Sequence, residues 1–290
     1  MSIVLRGGVM KKNQSQQDLT LPYLQRASNV SNPAATRLLR LMDEKQTNLI
    51  FAADVTKASD FLKLVRKVGK YIAVLKTHAD MIEGFSRETS KEIGQIAEEE
   101  NFMIFEDRKF GDIGGVVMQQ YAGGNIRIAD WAHFVTVHAV PGPGIIDSLG
   151  KVIAERQTNE NPRGILVLAQ MSTKDTFATG KYTERAVEIA KREPQFVAGF
   201  IGSGNSPVQV RQLRVLAGQN FLILTPGVHI SSTKGVINQL YNTPESAVKA
   251  GSDAIIVGTG IYRSDDPEEE AKLYRDAAWN AYLEKVSKER

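Results

Sequence analysis

Cysteine is absent from all 290 residues of the chain. That excludes disulfides, a thiol nucleophile and any thiolate-held zinc or iron–sulfur centre together. Histidine is scarce: His78, His133, His138 and His229 are the only four, and no two are paired at metal-ligand spacing, so no metal site is expected. No apolar run approaches the roughly 20 residues that a membrane helix needs. The first 21 residues are polar and glutamine-rich and lack the apolar core of a signal peptide. An excess of one charge is missing too, since 36 basic residues face 33 acidic ones and the two kinds interleave, as in Lys191-Arg192-Glu193. Without a basic stripe, nucleic acid is not the expected partner. These absences point to a cytoplasmic enzyme that engages neither membrane nor nucleic acid.

What is present is an ordinary globular composition, 42% hydrophobic and 24% charged, on a chain long enough for one α/β barrel. Short apolar runs recur at Leu49–Ala53, Ile72–Leu75, Phe102–Phe105, Phe134–Val137, Ile165–Ala169, Phe196–Ile201, Phe221–Thr225 and Ala254–Val257. Most lack period-two polar alternation, as expected of strands buried on both faces of a parallel sheet. Helix-period segments lie between them, among them Ala58–Val68, Ser86–Glu98, Thr183–Lys191 and Pro244–Ala250. The order predicts a single-domain (β/α)₈ TIM barrel over residues 33–290 with an N-terminal helical extension, and a doubly wound open sheet is the alternative that spacing cannot separate. Pro33–Lys45 reads as a helix covering the barrel bottom, and residues 1–32 as a polar N-terminal extension or tag.

Polar residues collect at the carboxyl ends of the expected strands, where barrel active sites are built: Asp54, Lys76, Asp107, His138, Gln170, Thr225-Pro226-Gly227 and Gly258-Thr259-Gly260. The densest group is Phe105-Glu106-Asp107-Arg108-Lys109-Phe110-Gly111-Asp112. Asp107 and Lys109, two apart, leave one face of an extended strand and can touch, while Asp112 begins the next helix. A surface ion-pair cluster with Asp112 as helix N-cap fits the same residues. Lys76, at the end of the preceding strand, favours a functional array, because two lysines alternating with two carboxylates stay protonated and suit the protonation of a carbanion. His138 reads as a polar core residue, Trp131 and Trp279 as packing anchors, and Asp265–Glu270 as a solvated helix start.

Several runs together resemble the eukaryotic-type orotidine 5′-phosphate decarboxylase family: Leu75-Lys76-Thr77-His78, Phe105 to Phe110, Ala178 to Thr183, Leu224 to Val228, Gly251 to Gly258, and the closing Ala277 to Leu283. The resemblance implies cofactor-free decarboxylation of orotidine 5′-phosphate to UMP by a homodimer with shared active sites. Under it, Lys109 donates the proton to C6 and Asp107 crowds the substrate carboxylate. Lys76 holds Asp107 and a ribose hydroxyl, and Asp112 comes from the other subunit. Asp54 binds ribose, Ser172 the pyrimidine amide edge, and Gln239 and Tyr241 the phosphate from a closing loop at His229–Leu240. His78 supports the Lys76 loop and, with Pro226, Gly258 and Thr259, completes the substrate-binding set.

Five positions depart from the family pattern. Thr259 replaces an arginine that forks onto phosphate, Val116 a threonine, Gly115 an asparagine, Ala52 a serine, and Gln170 a common glutamate. Action on a related pyrimidine nucleotide or nucleoside, or survival as a weakly active binding paralogue, are the alternatives these departures leave open.

Overall fold

The computed structural model describes residues 21–230 and 242–287. Its centre is a closed parallel barrel, β1-β2-β3-β4-β5-β6-β7-β8, which removes the open-sheet alternative. The strands are β1 (Leu49–Ala52), β2 (Val74–Thr77), β3 (Met103–Phe110), β4 (Phe134–His138), β5 (Gly164–Leu168), β6 (Val197–Ile201), β7 (Leu222–Thr225) and β8 (Ala254–Val257). Their side chains are almost all buried, because one face fills the barrel and the other meets the helices. This double burial is what the missing polar alternation signalled.

Helices α1 (Tyr23–Ala27) and α2 (Pro33–Lys45) precede β1. The connections carry α3 (Ala58–Val68), α4 (Arg87–Glu99), α5 (Gly114–Ala122), α6 (Gly144–Arg156), α7 (Lys181–Ala190), α8 (Pro207–Ala217) and α9 (Pro244–Ala250), and α10 (Thr259–Tyr262) and α11 (Pro267–Ser287) follow β8. α2 starts on two local signals, Asn32 capping the Ala35 N–H through its side chain and Pro33 in the first turn, and Leu38, Leu39 and Met42 form its buried stripe. Asn32 also donates to the carbonyls of Arg163 and Gln195, which precede β5 and β6, so α2 closes the amino end of the barrel as expected.

Residues 22–32, assigned by sequence to the polar extension, are packed against the barrel. Tyr23 stacks on Tyr282 with ring centroids 3.9 Å apart, and its hydroxyl donates to the Asp253 carbonyl at 2.7 Å. Arg26 pairs with buried Asp253, which also takes Arg214 at 2.5 Å and the Ile223 N–H at 2.8 Å. Burial opposes the Asp253 charge, but the guanidiniums of Arg214 and Arg26 outweigh it and hold its pKa down to about 2. This cluster ties α1, α8, β7 and the start of β8 together at the end of the barrel opposite the polar mouth.

Candidate active site

β2 and β3 lie side by side in register, with Lys76 opposite Phe105 and Thr77 opposite Glu106. β2 runs two residues further than the apolar pattern suggested, so Lys76 lies within it, 6% exposed. β3 likewise continues to Phe110, but through a register irregularity against β4 between Glu106 and Phe110. Lys109 sits in that irregularity with φ +53°, a left-handed conformation that non-glycine residues adopt at a penalty. Simple alternation therefore does not bring Lys109 to Asp107. A bulged, strained turn of the strand does, and Thr136 of β4 stabilises it: its hydroxyl oxygen accepts the Lys109 N–H at 2.8 Å while its O–H donates to Asp107 Oδ1 at 2.8 Å.

Asp107 is the hub of the array. Its Oδ2 meets Lys109 Nζ at 2.6 Å, His78 Nε2 at 3.5 Å and Lys76 Nζ at 3.7 Å, and Lys76 also reaches Asp54 Oδ1 at 3.1 Å. Burial works to raise the Asp107 pKa, yet the ammoniums of Lys76 and Lys109 overcome it and hold the carboxyl below its ordinary range. Burial, with Lys76 beside it, pushes the His78 pKa down. His138 stands half-buried at the mouth, not within the core as expected, and burial with nearby Lys109 lowers its pKa as well.

Lys76, Asp107 and Lys109 line a cavity of about 260 Å³ whose other walls include Ser172, Gly204, Pro226, Gly227 and Ile256. A larger recess of about 880 Å³ opens beside the amino ends of β3, β4 and β5, among Arg37, Asn101, His133 and Asn161. It holds none of the array, and barrel chemistry sits at the carboxyl mouth. The smaller cavity is the candidate site.

The remaining expected residues are distributed unevenly. Ser172 follows β5 and accepts the Gly204 N–H at 2.8 Å. Gly258 precedes the short α10, and Thr259 is exposed at its first position. Arg263 is exposed with its guanidinium 5.9 Å from the Tyr262 ring centroid. Asp112 does not join the array of its own chain: its carboxylate accepts the Ile113 N–H at 2.8 Å and the Gln120 side-chain amide at 3.3 Å. Nor is it the N-cap of α5, a position held by Ile113. Gln239, Tyr241 and residues 231–240 of the expected closing loop lie outside the described residues. Thr136 was not singled out by sequence; the available signal was one hydroxyl in an apolar strand, Phe134-Val135-Thr136-Val137-His138.

A closed parallel barrel with an alternating lysine–aspartate array buried at its carboxyl mouth defines a β/α-barrel enzyme built for charge-based acid–base chemistry. The family described as orotidine 5′-phosphate decarboxylase / HUMPS matches residues 47–274. Relatives named orotidine 5′-phosphate decarboxylase include those of Coccidioides posadasii, 43% identical over 92% of this chain and 97% of its own, and Kodamaea ohmeri, 43% identical over 92% and 100%. The chain belongs to the orotidine 5′-phosphate decarboxylase / HUMPS family. Among solved structures, the decarboxylase of that name from Pyrococcus horikoshii OT3 is similar at TM-score 0.62 and 25% identity, covering 79% of this chain and 98% of that one. The enzyme from Methanocaldococcus jannaschii, solved with the inhibitor BMP, shares the fold at TM-score 0.64 and 22% identity, over 80% and 98%.

Proposed function

We propose that this enzyme decarboxylates orotidine 5′-phosphate to UMP in pyrimidine biosynthesis, using the charges of its own side chains and no cofactor. The observation that carries the reading is Asp107 gripped by Lys109 and Lys76 inside the cavity at the mouth of a barrel of this family. The ionised Asp107 carboxylate repels the substrate carboxylate, and departure of CO₂ relieves that repulsion. As the C6–carboxyl bond breaks, its electron pair remains on C6, and the Lys109 ammonium delivers the proton that completes UMP. The barrier to be lowered is on the order of 20 kcal/mol or more, so charges fixed before the reaction must supply much of the effect. Asp54 is assigned to ribose, His78 to support of the Lys76 loop, Ser172 to the pyrimidine edge, and Gln239 and Tyr241 to the phosphate, with Pro226, Gly258 and Thr259 completing the substrate-binding set.

The proposal includes a homodimer in the cytoplasm in which Asp112 of each subunit completes the partner's array. Support comes from the residues beside Asp112, where Ile113 is 65% and Val116 54% exposed. Apolar residues gathered at one exposed place mark an association surface. The direct test is the fall in ultraviolet absorbance of orotidine 5′-phosphate when purified protein is added. Turnover is expected, and a flat trace at high enzyme concentration refutes the assignment.

A further inference from the structure

Behind the reacting face of β3 lies a second carboxyl that the chemistry above does not use. Phe105 and Asp107 both line the cavity, so Glu106 between them leaves the opposite face, into the layer between sheet and helices, where it is fully buried. There its Oε2 accepts the Thr77 hydroxyl at 2.5 Å, and both of its oxygens accept the Ala79 N–H, each at 3.1 Å. Thr77 is the residue between Lys76 and His78, and Ala79 begins the 3₁₀ turn that ends the β2 segment. One side chain of β3 thus holds both neighbours of His78, Thr77 by its hydroxyl and Ala79 by its backbone N–H.

The apolar layer gives no packing reason for a carboxyl at this place. Burial raises the Glu106 pKa to about 7 despite the bonds from Thr77 and Ala79. An apolar group of similar volume with apolar partners in place of Thr77 would fill the same layer without that cost, since replacing both partners of a buried polar contact can be nearly neutral for a fold. What the carboxyl supplies is registration of β2 against β3 at the level of the array. Lys76 Nζ and His78 Nε2 meet Asp107 Oδ2 at 3.7 and 3.5 Å, and both side chains depart from the segment Glu106 clamps.

We propose that Glu106 is a positioning residue for decarboxylation, acting from behind the sheet through Thr77 and Ala79 to hold Lys76 and His78 against Asp107. The inference rests on the decarboxylase reading above. Glu106→Gln keeps the shape, but its amide oxygen is a weaker acceptor than a carboxylate, and its amide nitrogen sets a donor where Glu106 presents a second acceptor to the Ala79 N–H. Because misplacing a catalytic group by about 1 Å can lower rates by about 10²-fold, kcat for orotidine 5′-phosphate is expected to fall by at least about tenfold. KM should change less than about threefold, with the melting temperature within about 3 °C of wild type. Thr77→Val should lower kcat in the same direction, Thr77→Ser should retain it, and the Thr77→Val, Glu106→Gln pair should be less than additive, as residues in one network are.

Wild-type kcat in Glu106→Gln overturns the proposal. So does a loss of activity that follows the melting temperature alone and disappears, per folded molecule, at lower temperature. If Glu106→Gln does not fold, Thr77→Val against Thr77→Ser decides, and equal kcat in those two overturns it as well. Wild-type enzyme is assayed alongside: its failure to turn over orotidine 5′-phosphate counts against the decarboxylase reading, whereas normal wild-type turnover with an unaffected Glu106→Gln counts against Glu106 alone.

Discussion

At the scale of single residues, the array depends on a hydroxyl that sequence reading passed over. Thr136 answers two needs at once, an acceptor for the N–H of a strained Lys109 and a donor to Asp107. Thr136→Val keeps the volume and removes both bonds. A hydrogen bond to a charged group is worth about 1.5–3 kcal/mol, so kcat/KM is expected to fall about tenfold to a hundredfold, while Thr136→Ser stays near wild type; steady-state assays of the two variants check this. Thr259 supports a separate expectation. Exposed beside Gly258, it offers phosphate one neutral bond where a guanidinium offers a charged fork, and Arg263 lies beside Tyr262. Thr259→Arg should therefore lower KM for orotidine 5′-phosphate by about tenfold or more, with little change toward the phosphate-free nucleoside. An unchanged KM would mean that another cation already fills that place. Lys76, Asp107 and Lys109 were legible because lysines and carboxylates at strand ends are rare and conspicuous. Thr136 was not, since a lone threonine in an apolar strand also reads as a β-branched packing residue.

At the scale of elements, the eight strands were legible from unbroken apolar runs, and their ends were not. β2 and β3 outrun their apolar stretches because Lys76, Asp107 and Lys109 face a walled cavity while their strands still pair. The bulge at Lys109 leaves no pattern, since nothing in Arg108-Lys109-Phe110 favours a left-handed backbone. A helical N-terminal extension was expected, but the place of α1 in it was not legible: five residues are too few for a period, and its anchor, Asp253, is more than two hundred positions away. That anchor can be tested. Removing one member of a buried ion cluster strands the others, at about 3–5 kcal/mol. Asp253→Asn, which leaves Arg26 and Arg214 facing a neutral group, is expected to destabilise by that amount in urea unfolding while activity per folded molecule is retained. The Asp253 pKa is depressed to about 2, so its contribution is complete above its ordinary value near 3.8 and is lost as pH falls through about 2. The gap between wild type and variant should therefore narrow only under strong acid.

At the scale of the whole molecule, stability and chemistry occupy opposite ends of the barrel. The amino end is sealed by α2 and the Asp253 cluster. The carboxyl mouth carries strain at Lys109 and exposed apolar side chains around Asp112. A monomer with Ile113 and Val116 in water has a reason to associate, and Asp112 adjoins them in the chain. The proposed dimer with shared sites predicts complementation. Lys109→Ala removes the proposed proton donor, worth about 10²–10⁴-fold as a general acid, and Asp112→Ala removes the carboxylate proposed to cross the interface, so each variant alone is expected to be nearly inactive. In a mixed dimer, one site carries both defects and the other carries neither. Subunit exchange between equal amounts gives half of the dimers as hybrids, each with one intact site, so activity should return to about a quarter of the wild-type level per site. Recovery should follow the kinetics of exchange and be absent when the subunits are cross-linked before mixing. If exchange is verified by native mass spectrometry of differently tagged chains and no activity returns, Asp112 acts within its own chain or not at all, and the exposed apolar face serves another purpose.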